Sequence, residues 1–410
     1  MKPRYMNATL MVALGFILTI GGLILVIWSV GSYHWGYTFL GANAVWTGIV
    51  LSKRGLGAKQ GEKHIDNAIL NNTKVIELNP EDAVAYGNRG ISYGQRGDLD
   101  RAIADFDKAI ELNPQDAVAY SNRGIAFGEM GNFDKASIDF DKAAELDPEN
   151  AQSYKNQRLY YDEKIKLERE VIEASNAIEQ NSQDSAAFYK RGSAYLEWAQ
   201  LSDDSGDIDK AIADYNKAIA LSPENAEAYV RRGEAYFFKQ DANRAISNFN
   251  KAIELDPRNV LAFKRRGFTY YLKGELERAF ADYSRAIELD PNDPEPYSNR
   301  GLVQDKKGEF DKAIADYNRA VELAPDSAPV YDNRATAYEH KGDFNLAITD
   351  YSRAIELFPS AGVFYARGLI YERVKRYADA RADYEMILKM QTDEQVMKLA
   401  NEGLERVSRL

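Results

Sequence analysis

From Pro80 onward the chain repeats itself every 34 residues. Prolines stand at 80, 114, 148, 223, 257, 291, 325 and 359, and Ser182 takes the slot after Pro148. Only the step from Ser182 to Pro223 is longer, by seven residues. A fixed period of this size marks stacked supersecondary units, each too small to bury its own apolar face. The period therefore excludes a closed globule around one core. It implies a molecule that works by offering surface.

Composition narrows the chemistry. The chain of 410 residues has no cysteine, which removes disulfides, thiolate catalysis and cysteine-zinc sites. Its three histidines, His34, His64 and His340, are far apart and lack metal-ligand spacing. No phosphate loop, nucleophile elbow or acid cluster with ligand spacing is present, so neither a catalytic residue, a cofactor nor a metal is expected. Residues 1–63 hold six Lys/Arg against the single acid Glu62, whereas the whole chain has a net charge of −11. The repeats are therefore strongly acidic, and nucleic acid is excluded as a main partner.

Met11 to Val30 is free of charge and, at 1.5 Å per residue, about 30 Å long, the thickness of a hydrocarbon core. A weaker apolar stretch runs from Tyr33 to Leu51. Trp28, Tyr33, Trp35 and Tyr37 cluster between the two, where a bilayer interface favours amphipathic rings. Lys2 and Arg4 precede the first stretch and Lys53 and Arg54 follow the second. The positive-inside rule then predicts a membrane anchor over residues 1–52. Its two transmembrane helices, about 7–30 and 34–51, place both termini and the repeats in the cytoplasm. A single anchor with a half-inserted second helix, and a cleaved signal ending near Ala42-Asn43-Ala44, are the alternatives. Residues 53–63 read as a flexible basic linker.

Within each repeat the first segment carries an aromatic, as at Tyr86, Tyr120, Phe188, Tyr229, Phe263, Tyr297, Tyr331 and Phe364. A small residue follows four positions later and usually a second aromatic three further on, which places them on one helical stripe. The second segment has an alanine (Ala102, Ala136, Ala279 and their equivalents) with an aromatic four residues on. Gly97-Asp98, Gly131-Asn132, Gly274-Glu275, Gly308-Glu309 and Gly342-Asp343 are read as the turns between paired helices.

The pattern aromatic-x3-Gly-x2-Tyr, then Ala-x3-aromatic-x2-Ala, then Pro resembles the tetratricopeptide repeat. The resemblance implies an all-α fold, an α-solenoid whose helix-turn-helix units form a right-handed superhelix. Residues 64–82 would be a half-repeat cap. Nine units would follow over 83–390: 83–116, 117–150, 151–184, 185–225, 226–259, 260–293, 294–327, 328–360 and 361–390. Residues 391–410 would form a capping helix. Unit 151–184 is degenerate, with Arg158 in the glycine position and no turn glycine. A loosened hairpin is the expectation there and one long helix the alternative. The seven extra residues of unit 185–225 lengthen its first helix by nearly two turns without changing its facing.

In such arrays the first helices line a concave groove, so groove positions are the candidate site. Two residues after the first aromatic stand Asn88, Asn122, Asn156, Asn299 and Asn333, whose carboxamides suit an extended peptide. In the middle units the same position holds Lys190, Arg231 and Arg265, joined by Lys264. Tyr189, Phe237, Phe268 and Tyr271 lie close by. This basic and aromatic patch would suit a protein or peptide partner that mixes acidic and apolar residues. Lys264 and Asn299 also resemble members of the family's carboxylate clamp, but Phe268 and Pro329 replace its other polar members. The expected function is a non-enzymatic membrane-anchored scaffold or adaptor. The alternative is a self-assembling homo-oligomeric scaffold at the membrane.

Overall fold

A computed structural model describes residues 58–201, 205–390 and 394–409, and among them every regular element is an α-helix. The expected transmembrane hairpin lies outside the described residues. No described helix is long and apolar enough to cross a membrane. The described residues form two compact units, one ending at Asp214 and one beginning at Tyr215.

The first unit contains α1 (Ala58–Leu78), α2 (Ala83–Arg96), α3 (Leu99–Leu112), α4 (Ala117–Glu129), α5 (Phe133–Leu146), α6 (Ala151–Gln180) and α7 (Ser185–Leu201). Helix α8 (Ser205–Leu221) contains the division. The second unit continues with α9 (Ala226–Phe238), α10 (Ala242–Leu255), α11 (Val260–Leu272), α12 (Leu276–Leu289), α13 (Pro294–Lys306) and α14 (Phe310–Leu323). It ends with α15 (Ala328–Lys341), α16 (Phe344–Leu357), α17 (Ala361–Arg373), α18 (Tyr377–Lys389) and the cap α19 (Glu394–Ser408).

Local chemistry sets the helix ends. Asp82, Asp116, Asn225 and Asn259 each accept a hydrogen bond from the backbone N–H three residues on, at 2.9 to 3.2 Å, which closes the first turn. All five expected turn glycines have positive φ, from 77° at Gly274 to 91° at Gly342. Where glycine is missing, Gln240 and Lys375 take the left-handed conformation instead, at φ 61° and 62°.

The second-helix stripe is the core. Ala102, Phe106, Ala136, Phe140, Ala313, Tyr317, Ala347, Tyr351 and their equivalents are fully buried. Each ring presses on the small residue of the first helix. A Cβ added at Gly301 would stand 2.7 Å from Tyr317 Cε1, and one at Gly90 would stand 2.8 Å from Phe106 Cε1. The alanines let backbones approach and the rings fill the remaining space.

Three expectations are corrected. Residues 151–180 form one helix of 30 residues, not a hairpin. Ile165 and Lys166 occupy the turn position and continue a helix that nothing ends. The rod serves both neighbours. Tyr161 stacks on Phe140 with centroids 5.5 Å apart, while Leu167 packs with Ala194 and Leu201 of α7. The insertion is shared between two helices where lengthening of the first alone was expected: α7 and α8 have 17 residues each, against 13 and 14 in α9 and α10. Trp198 of α7 reaches Phe133 at 5.9 Å. Third, α1 begins at Ala58, inside the segment read as flexible linker. Ala58, Lys59, Gln60, Glu62 and Lys63 are good helix formers and outweigh Gly61.

Candidate functional site

The candidate residues separate between the two units. Asn88 on α2 is exposed, Asn122 on α4 is half-buried, and Tyr189 and Lys190 lie at the start of α7, half-buried and exposed. The others lie in the second unit: Arg231 and Phe237 on α9, Lys264, Arg265, Phe268 and Tyr271 on α11, Asn299 on α13 and Asn333 on α15. These are brought onto one face by the first helices of successive repeats. The Phe237 and Phe268 rings are 5.8 Å apart, and Asn333 donates to Ser298 Oγ at 3.5 Å. The asparagine here braces one first helix against the previous one.

The basic patch carries no surplus of positive charge. Arg265 Nε donates to Glu234 Oε1 at 2.6 Å, and Arg231 Nη1 reaches Glu234 Oε2 at 3.1 Å and Arg231 Nε reaches Glu227 at 3.7 Å. Lys264 is buried between Asp293 and Glu295. Three cations face four carboxylates, so the cationic attraction expected for an acidic peptide is spent inside the protein. Burial pushes the Glu295 carboxyl up, opposed by Lys264 and Arg265. What remains for a partner at this end is aromatic: Phe268 and Tyr271, both half-buried, beside the buried Phe237.

Towards α15 the face turns acidic. His340 Nδ1 hydrogen-bonds both oxygens of Asp305, at 2.8 and 3.0 Å, and this contact is the main cause of the raised His340 pKa. Glu339 accepts from Tyr351 Oη at 3.3 Å and lies 3.4 Å from Arg373, while its own burial raises its pKa. Asp332 has no such partner, and burial alone raises its carboxyl to about 6.

One repeated device was not expected. The first-helix arginine before the small residue makes a two-point ion pair with an aspartate sixteen residues on: Arg89 with Asp105, Arg123 with Asp139, Arg266 with Asp282, Arg300 with Asp316, Arg334 with Asp350. Its remaining Nη1 reaches sixteen residues back, as Arg123 to Asp107 and Arg266 to Asn250, both at 2.7 Å. Flanking aromatics cover the guanidinium: Phe263 and Tyr270 lie 5.5 and 6.0 Å from Arg266. The first-helix aromatics are thus half core and half lid over this ladder. Arg232 alone in this series faces neutral groups, Asn248 at 2.8 Å and Asn216 at 2.7 Å, and burial lowers its pKa.

Three family models match the sequence. One described as TPR repeat covers 204–240, 233–274 and 267–308. Two described as tetratricopeptide repeat cover 83–116, 117–150 and 294–327, and 333–394. The rod α6 and the whole of α7 fall between the matches. No curated protein matches the chain. Among solved structures, MamA is 32% identical over 37% of this chain and 89% of its own, with a TM-score of 0.35. YrrB, titled a TPR protein with an unusual peptide-binding site, is 24% identical over 47% of this chain and 97% of its own, with a TM-score of 0.39. Yeast Tom70 is 19% identical over 89% of this chain and 88% of its own, with a TM-score of 0.43.

Proposed function

Because the chain belongs to the tetratricopeptide repeat family, we propose that it is a non-enzymatic adaptor that holds a protein or peptide partner along its first-helix face. The supporting observation is the continuity of that face across α9, α11, α13 and α15. There Phe237, Phe268 and Tyr271 offer apolar anchorage beside polar groups from four successive repeats. Residues 7–30 and 34–51 would tether the adaptor to a membrane, with the repeats in the cytoplasm.

Charge reversal at Arg231, Lys264 and Arg265 is a poor test, because it would break an internal ion network whatever the partner. The better variant is Phe268→Ala with Tyr271→Ala in the full chain, captured with its bound proteins after proximity labelling. Loss of the labelled set with unchanged helicity is expected. An unchanged set overturns the assignment of this face. For the anchor, the chain should stay in the membrane pellet after alkaline carbonate extraction, and release into the supernatant refutes it.

A further inference from the structure

One rung of the arginine ladder has lost its counter-charge. Arg89, Arg123, Arg191, Arg300 and Arg367 each meet both oxygens of an aspartate through Nε and Nη2. At Arg232 that aspartate is replaced by Asn248, which is buried and turns its own Nδ2 to the Arg244 carbonyl at 2.8 Å. Asn248 Oδ1 takes Nε alone, at 2.8 Å, and Arg232 Nη2 meets no acceptor among the described residues. Burial accordingly lowers the Arg232 pKa, whereas the aspartate bond raises that of Arg89, Arg191 and Arg300.

A second carboxylate is missing beside it. Lys108, Lys142 and Lys251 on the other second helices each reach a glutamate three residues on, at 2.8, 2.9 and 2.6 Å. Their equivalent on α8 is Lys217, and three residues on stands Ala220. Lys217 is exposed and makes no ion pair among the described residues. It directly follows Asn216, the exposed residue whose Oδ1 accepts from Arg232 Nη1 at 2.7 Å. Two independent replacements, Asn for Asp on α10 and Ala for Glu on α8, thus strip the acids from neighbouring cations in an otherwise acidic array. A half-buried guanidinium has already lost part of its hydration, so it gains more from an incoming anion than a fully solvated one does.

We propose that Arg232 and Lys217 receive a carboxylate of an acidic partner segment at the exposed edge of α8 and α9, with Arg232 Nη2 donating as its counterparts do to aspartate. None of the residues assigned to the first-helix face takes part, so this contact stands apart from that reading. The acidic partner expected from the sequence is met by Arg232 and not by Arg231, Lys264 and Arg265, whose charge is spent internally.

The test uses the full chain in nonionic detergent and two rhodamine-labelled peptides, (Ala-Glu-Gly)4 and (Ala-Gln-Gly)4, followed by anisotropy. The glutamate peptide also meets the basic residues 1–63, so variants are compared within the same chain. Asn248→Asp restores the carboxylate of the other repeats. It should weaken the glutamate peptide about tenfold, the worth of one charge-assisted contact, leave the glutamine peptide unchanged, and slow hydrogen exchange in α9 and α10. Arg232→Met should weaken the glutamate peptide to the same extent, and Lys108→Gln, which removes a lysine already paired with Glu111, should not. Equal binding of the two peptides, or of the glutamate peptide by the unaltered chain and Asn248→Asp, overturns the proposal. Sodium phosphate slowing exchange in α9 and α10 while both variants keep the peptide affinity assigns the site to a free ion and overturns the partner carboxylate.

Discussion

Two arginines at equivalent positions in adjacent repeats, Arg232 and Arg266, should respond differently to the same substitution. Arg266 Nε and Nη2 meet the two oxygens of Asp282 at 2.8 and 2.6 Å, and the carboxylate side chain is only 7% exposed. Replacing Arg266 with Met leaves that charge enclosed and alone, a change that costs about 3–5 kcal/mol in buried pairs. The partial exposure of Arg266 itself, 18%, places the expectation near 3 kcal/mol. Arg232→Met leaves only the neutral Asn248 and Asn216, and it relieves a guanidinium that burial already disfavours. Its cost should be about 1 kcal/mol.

A repeat array does not unfold as one two-state body, so the proper assay is local. Native-state hydrogen exchange of amides in α11 and α12 should accelerate by about two orders of magnitude in the Arg266 variant. Amides of α9 and α10 should accelerate about fivefold in the Arg232 variant. Adding Asp282→Asn to Arg266→Met should restore most of the protection. The Arg266 penalty should also shrink in acid. Burial raises the Asp282 pKa and Arg266 opposes that rise, so the folded variant binds a proton at a higher pH than the unfolded chain does. Stability therefore falls as pH rises through that folded value. Equal losses at the two sites, or no rescue by Asp282→Asn, would refute the ladder as an electrostatic device.

Asp332→Asn should stabilise the second unit by about 1–2 kcal/mol at pH 7.5, because a carboxyl raised from 3.8 to about 6 disfavours the fold once ionised, and the gain should vanish near pH 4 in denaturant melts. The His340 imidazole should titrate above an ordinary histidine by NMR and return towards it in Asp305→Asn. Its stabilising share is present below the ordinary value and is lost as pH rises through the raised one. Gly301→Ala should cost about 1–3 kcal/mol by driving a methyl into the Tyr317 ring. Gly87→Ala, in a helix with nothing within 4 Å of the new atom, should gain about 0.5–1 kcal/mol, both read from local hydrogen exchange.

The features legible in the sequence are those set by short-range geometry repeated many times. Gly97, Gly131, Gly274, Gly308 and Gly342 were placed residue by residue because a left-handed turn has few substitutes. The buried rings followed from spacing alone. The rod at 151–180 escaped because an unbroken 34-residue register fits either one helix or two, and only the missing turn residue distinguishes them. The charge of the candidate patch escaped for a different reason. Arg265 and Glu234 are 31 residues apart, so the neutralising carboxylate comes from the previous repeat. The arginine ladder did leave a trace, an Arg before each small residue and an Asp before most second-helix rings, sixteen positions apart. A reading that follows apolar stripes passes charged residues to the solvent side and misses such a pair.

The change from Phe to Tyr in the core shows how the repeats can share one scaffold and differ on their working face. Twelve residues before Tyr317, Tyr351 and Tyr384 stand Asp305, Glu339 and Glu372, whereas the residues twelve before Phe106, Phe140 and Phe249 are Gly94, Gly128 and Phe237. A buried phenol oxygen without a partner costs free energy, so the hydroxyl is tolerated where a carboxylate on the same repeat can receive it. Hydroxyl and acid thus go together in the last three repeats, whereas Tyr215 has Leu196 in the acid's place. Tyr283 breaks the pairing, with Tyr271 in the acid's place and an oxygen that bonds to nothing. That irregularity falls two repeats before Asp332, a carboxyl that burial alone raises.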